Sequence, residues 1–159
     1  MSSSSFKVIK KVQKTFTVDT AGSFLTNESL HDDAIKLENC LQDKGSGKLI
    51  GIVITDLDAV NRAMAIDLFS TAIPNTTVTA SSTINVDDAD LLSLQAHIEV
   101  ASAEYVNYQS NSQATKELNL PIDLGKGNRD LWVTLRAKGA HAAYGTANAI
   151  TIKFFFEQD

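Results

Sequence analysis

The feature that most constrains this chain is how often apolar residues alternate with polar ones. A period of two places successive side chains on opposite faces of a strand, so that one face can be buried and the other wetted. In Ile150-Thr151-Ile152-Lys153-Phe154-Phe155-Phe156, the set Ile150, Ile152, Phe154 and Phe156 falls on one side. Leu131, Val133 and Leu135 do the same in 130–136, and Ala96, Ile98 and Val100 in 95–100. Near the start, Phe6, Val8, Val12, Phe16 and Val18 share one parity, interrupted by Lys10 and Lys14. Residues 49–54 are apolar on both parities, which predicts a central strand covered on both faces. Segments 34–37 and 65–69 complete the stronger strand predictions. Segment 113–124 is a weaker one, and Pro121 within it suits an edge or a bulge.

Turn chemistry separates these runs. Segments 43–48 and 125–130 read as tight connections between neighbouring strands, 73–76 as a turn around Pro74, and 139–145 as a longer loop of small residues. One short helix is expected where Asp87 can cap and Asp90 lies near the positive helix end, with Leu91, Leu92 and Leu94 following. Residues 60–64 are expected to form one more turn. Roughly seven to nine strands without βαβ alternation predict an all-β fold. The expected form is an antiparallel two-sheet sandwich, a jelly roll with one or two short helical turns. The chain has 159 residues. That is enough for one domain burying roughly 70% of its unfolded surface. It divides into a basic N-terminal arm or strand over 1–20 and a sandwich over 21–159.

Charge is unevenly placed. Of 14 basic and 19 acidic residues, four basic ones (Lys7, Lys10, Lys11 and Lys14) precede the first acid, Asp19; ten against nineteen remain, a net −9. An acidic body argues against nucleic acid as a partner, since phosphate binding needs a basic footprint. The lysine segment has two readings. It is a solvated strand edge that discourages sheet-to-sheet association, or an arm, Phe6 with the four lysines, that docks on an acidic protein surface. No apolar run reaches the ~20 residues of a membrane span, and the start lacks the apolar stretch of a signal peptide. A lone cysteine, Cys40, excludes an internal disulfide and reads as a buried, inert thiol. The expectation is a soluble protein made in a reducing compartment.

Motifs for catalysis fail on their spacing. Gly47-Lys48 lacks the flanking glycine and hydroxyl residue of a phosphate loop, because Gln42 and Leu49 stand there. No G-x-S-x-G elbow occurs. His31, His97 and His141 form no metal-binding pair. His97 reads as part of a solvated face, and His31-Asp32-Asp33 as a polar loop. Asp56 and Asp58, and the cluster Asp87, Asp88 and Asp90, lack the calcium-loop pattern and read as caps and turn anchors. A glycosidase pair among them would need two carboxylates within roughly 5–10 Å. No catalytic residue, metal or cofactor is expected.

The aromatics leave alternatives open. Trp132 shares parity with Thr134 and Arg136 rather than with the apolar set, and Phe155 lies beside Lys153. Trp132, Arg136 and Phe155 are therefore candidates for a subunit interface, or for contacts inside one subunit. Tyr105, Tyr108 and Trp132 are candidates for stacking on sugars, which would make the chain a carbohydrate-binding jelly-roll module of a fibre or other host-recognition appendage.

The order of segments carries a resemblance. Lys48-Leu-Ile-Gly-Ile-Val-Ile-Thr-Asp56 leads into Asp67-Leu-Phe69 and Ile73-Pro74. Then come Ile84-Asn-Val-Asp-Asp-Ala-Asp-Leu-Leu92, Asn119-Leu-Pro-Ile-Asp-Leu124 and a closing strand through Phe156-Glu157. Over about residues 45–157 this resembles virion structural proteins of tailed bacteriophages and prophages, in particular small jelly-roll capsid decoration or cement proteins. The resemblance implies a non-enzymatic protein, made in the bacterial host cytoplasm and located in the virion on the outer capsid surface. It implies two partners, the major capsid protein and further copies of the chain itself as a homotrimer. No binding residue transfers through it, and the first 20 residues are not covered.

Overall fold

The computed structural model describes residues 7–159; Phe6 of the expected arm lies outside them. Two antiparallel sheets face each other. One has the order β1 (Ile9–Phe16), β11 (Ile150–Gln158), β4 (Ser46–Asp56), β8 (Asn111–Asp123) and β7 (Tyr105–Tyr108). The other has the order β3 (Ile35–Leu37), β9 (Leu131–Ala137), β5 (Met64–Phe69) and β6 (Leu94–Val100). A ribbon of β2 (Ser23–Phe24) and β10 (His141–Ala142) sits beside them. The pairs β1 with β11, β3 with β9, β4 with β8, and β5 with β6 nest as successive rungs of one long hairpin. Rolling that hairpin sends alternate rungs to alternate sheets, and the pairs β11 with β4 and β9 with β5 then close each sheet. This is the jelly roll that the alternation predicts.

The alternating sets meet in the middle. Ile150, Ile152, Phe154 and Phe156 of β11 are buried opposite Leu131, Val133 and Leu135 of β9 in one core. Residues 49–54 do form a central strand, but one covered on a single face: Leu49, Ile52 and Ile54 are buried while Ile50 and Val53 are half-buried. The strand covered on both faces is β5, buried at every position. The reason is the connection between β5 and β6. It folds back over the outer face of its own sheet, and Phe69, Ile73, Val78 and Ile84 form a second small core there.

Three local expectations change in space. Segments 43–48 and 125–130 do not join neighbouring strands. They carry the chain from β3 to β4 and from β8 to β9, in each case from one sheet to the other. Glycine-rich turns serve hairpins and crossings alike, so composition does not separate them. The two turns pack on each other. Gly127 N–H donates to Asp43 O at 2.8 Å, Arg129 pairs with Asp43, and a Cβ on Gly45 (φ +68°) would collide with the Gly125 carbonyl. Residues 60–64 are not helical. Ala59 and Asn61 have positive φ, and the Asp56 carboxylate gathers the N–H groups of Asp58, Val60 and Asn61 at 2.9–3.0 Å. The extra helical turn is instead a 3-10 turn, Ser102–Glu104. The expected helix is present as α1 (Asp88–Leu91), with the Asp87 side chain accepting from Ala89 N–H. Pro121 lies where β8 has β4 on one side only, because β7 pairs with residues 111–114.

The basic N-terminal segment forms a strand. β1 pairs along its whole length with β11, and Phe16 and Val18 belong to the core. Residues 9–18 thus pack on the sandwich, with β1 as an edge strand.

Candidate functional site

The first and last strands of a rolled hairpin leave the sandwich with two long seams. At one, β6 of the four-stranded sheet lies beside β8 of the five-stranded sheet. Lys116 reaches across, donating to Glu99 O at 2.6 Å and pairing with Glu104 at 3.1 Å. Asp123 N–H donates to the Gln95 side chain at 3.1 Å. Glu104 is in turn held by Ala101 N–H at 2.7 Å, which with the Lys116 cation keeps its carboxyl below the usual range. Side chains bridge this seam around a cavity of about 330 Å³ lined by Glu99, Ala101, Glu104 and Lys116.

At the other seam, β1 faces β3, and among the described residues no backbone hydrogen bond joins them. The cause is length: β1 has eight residues and β3 three. The stretch 32–33 ahead of β3 turns away, with Asp33 at φ 54° donating to Val78 O. A groove of about 840 Å³ remains, walled by Val12, Lys14 and Thr15 on one side and Ile35, Leu37 and Glu38 on the other. Val12, Lys14 and Phe16 point inward along β1. Toward its start the covering layer runs out, and Val8 and Ile9 are 51% and 57% exposed.

The expected docking lysines divide along this strand. Lys10 and Lys14 share the inward parity of Val12, whereas Lys7 and Lys11 share the outward parity. Lys7 is spent on Glu157 at 2.8 Å, a contact that raises its pKa. Lys10, Lys11 and Lys14 have no ion-pair partner among the described residues. The sequence reading missed the opposite wall. Its signal is the brevity of the apolar run 34–37 between Asp32-Asp33 and Glu38-Asn39: a strand that short leaves its neighbour uncovered.

The structure does not bring Trp132, Arg136 and Phe155 together. Trp132 and Arg136 lie on the outer face of the four-stranded sheet, and Phe155 on the outer face of the five-stranded one. Trp132 carries the Lys36 ammonium 5.6 Å from its ring centroid, and Lys36 also reaches Asp130 at 3.4 Å. Arg136 is held by Asp67 at 3.2 Å and by Asn27 at 3.3 Å. Phe155 sits between Lys11 and Gly51. Nor do the sugar-stacking candidates share a platform. Tyr105 is buried, Tyr108 is 60% exposed near the β7–β8 turn, and Trp132 is on the other sheet.

Histidines and acids are engaged in local structure. His31 is 1% exposed rather than on a polar loop, and its Nε2 accepts Leu135 N–H at 2.9 Å. That ring replaces the strand partner β9 loses where β3 stops. Nδ1 then carries the proton toward Asp32 O at 3.2 Å, and burial holds the pKa below its ordinary value. His97 lies between Asp67 (2.5 Å) and Glu99 (3.2 Å). Burial opposes its charge, but the hydrogen bonds to the two carboxylates prevail and raise its pKa. The Asp58 carboxylate accepts from Thr146 N–H and Oγ1, and Asp90 pins the 73–76 turn through Asn75 and Thr76. Cys40 is buried, and burial pushes its thiol up to about 12.

No family model matches this chain, and no curated protein matches it. Among solved structures it is similar to that of tomato aspermy virus determined by X-ray crystallography. The two share 11% identity and a TM-score of 0.41, over 99% of this chain and 79% of that one. A likeness of that degree carries no argument about function or partners.

Proposed function

We propose that this protein is a non-enzymatic virion structural protein: a bacteriophage decoration or cement protein that binds the outer surface of the assembled head and stabilises contacts between capsomers. The observation that carries this reading is the open seam. An eight-residue edge strand, three of whose lysines have no ion-pair partner among the described residues, stands beside a groove of about 840 Å³. Such an edge is a template for pairing with another chain, which proteins ordinarily cover or shorten. The resemblance of segment order to capsid decoration proteins supports the same role. The acids and histidines described above are engaged in turns, caps and strand support, which suits a scaffold acting through its surface. Many copies holding neighbouring capsomers gain through multivalency what each contact lacks alone.

Mixing the purified protein with bare heads of the encoding phage and imaging them tests the reading. Added density on the outer surface over capsomer junctions is expected. Bare heads unchanged at saturating protein would overturn it. A three-fold assembly is expected by light scattering, free or on the head; a monomer in both states would remove the trimer.

A further inference from the structure

We infer, resting on that docking role, that the β1 edge takes up an extended acidic segment of the partner as a sixth strand of the five-stranded sheet, the segment's apolar side chains entering the groove between β1 and β3. The backbone supplies the first argument. Gln158 N–H donates to Val8 O at 2.8 Å, so Val8 directs its carbonyl at β11. By the alternation of an antiparallel ladder, Lys10, Val12, Lys14 and Phe16 do likewise. Ile9, Lys11, Gln13 and Thr15 then direct their N–H and C=O groups away from the sheet, and β1 is the sheet's end strand. That row extends about 20 Å at the usual strand rise.

Charge supplies the second argument. A strand laid on this edge brings its side chains within roughly 5 Å of their neighbours on β1. Lys11 then meets the segment's outward row, which selects carboxylates there, while Lys10 and Lys14, on the inward face with Val12, lay their stems along the apolar row and hold their charge over the segment, which rejects lysines. The far wall offers Ile35 and Leu37 to apolar side chains, with Asp32, Lys36 and Glu38 also lining it. A second copy of β1 is a poor occupant: pairing it antiparallel about Val12 sets Lys10 opposite Lys14. Nucleic acid would leave the outward backbone row unpaired and would meet a body of net −9.

Two ten-residue peptides, one alternating Val with Asp and the other Val with Lys, test the inference on the full chain by NMR. The Val/Asp peptide is expected to shift and protect the amides of Ile9, Lys11, Gln13 and Thr15, leaving those of Val12 and Lys14 unmoved. Its affinity is expected to fall at least about tenfold from low to high salt, as exposed charge contacts are screened over ~8 Å at physiological ionic strength. Gln13→Pro removes an outward N–H that β11 does not use, a substitution an edge strand tolerates, and should abolish binding. The K10Q/K11Q/K14Q variant, which leaves the backbone untouched, should do the same. Edge amides unmoved at millimolar Val/Asp peptide, equal binding of the Val/Lys peptide, or displacement by a 20-nucleotide single strand would each overturn the inference. Head binding with no peptide binding leaves the docking role standing and removes strand addition; peptide binding with no head binding does the reverse.

Discussion

The two seams of this sandwich are made from the same materials and end in opposite states. Each joins an edge region of the five-stranded sheet to an edge strand of the four-stranded one. At the β6–β8 seam a single lysine, Lys116, is consumed by Glu99 O and Glu104. At the β1–β3 seam three lysines stand on the edge without an ion-pair partner among the described residues. Composition does not separate the two cases. What does is the length of the opposing strand, seven residues in β6 against three in β3. A lysine stabilises a seam when the opposite sheet brings a carbonyl and a carboxylate within reach. Where the opposite strand stops early, the same side chain has no ion-pair partner among the described residues.

The largest effect should come from reversing charge at the open seam. Lys10→Glu/Lys11→Glu/Lys14→Glu is expected to lower head binding by at least about a hundredfold, since like charges set across a docking surface cost several kcal/mol. The same variant should change folding stability by no more than about 1 kcal/mol, since Lys10 and Lys11 are exposed and Lys14 is half-buried. Binding isotherms and denaturant melts read the two quantities separately. Unchanged binding would place the docking surface elsewhere on the sandwich.

Next in size is the support beside the open seam. His31→Ala leaves Leu135 N–H buried without an acceptor and opens a cavity against Phe16, whose ring centroid lies 5.8 Å from that of His31. A loss of about 2 kcal/mol or more is expected from chemical denaturation. A change within about 0.5 kcal/mol would mean that β9 finds another partner there. The corresponding cut at the β6–β8 seam is smaller. Lys116→Ala removes the stitch to Glu99 O and Glu104, at about 1 kcal/mol for a half-exposed charged contact. It should speed amide exchange in β6 and the second half of β8 while leaving β1 unaffected. Equal speeding at β1 would dissolve the distinction between the seams.

The contrast also marks what sequence carries. Period-two alternation is a local property, so the inward sets of β6, β9 and β11 were legible residue by residue, and with them the sandwich. Strand partners were not. Segments 43–48 and 125–130 read as hairpin turns because glycine and aspartate serve any reversal, and only the rolled topology shows that each crosses between sheets. The lysines of β1 were legible as a cluster, with Lys10 and Lys14 on the apolar parity, but not the short opposing strand that leaves them at an open groove. His31 read as a polar loop because its partner, Leu135 N–H, lies 104 residues away. Trp132 and Phe155 shared the property of being aromatic on a polar parity, yet they sit on opposite outer faces, a fact of layer order that parity alone cannot express.

The smallest effect distinguishes the seams by pH. His31, beside β3, has its pKa lowered below 6.5 by burial, so its neutral ring is the native form. Its contribution is fully present above the unfolded pKa and is lost as pH falls through the lowered folded value. His97, on β6, has its pKa raised above 6.5: burial opposes this, and the hydrogen bonds to Asp67 and Glu99 outweigh it. Its contribution is fully present below 6.5 and is lost as pH rises through the raised value. Stability of the unaltered protein should therefore decline in both directions from a maximum near pH 6.5, above the range where Glu99 and Glu104 take up protons. His97→Gln should flatten only the alkaline limb, and by little, because that side chain is 38% exposed. His31→Ala should flatten only the acid limb below about pH 6.5. Melting midpoints across this range check both variants. Loss of the same limb in both would show that the two histidines titrate as one network, and that the seams are not independent.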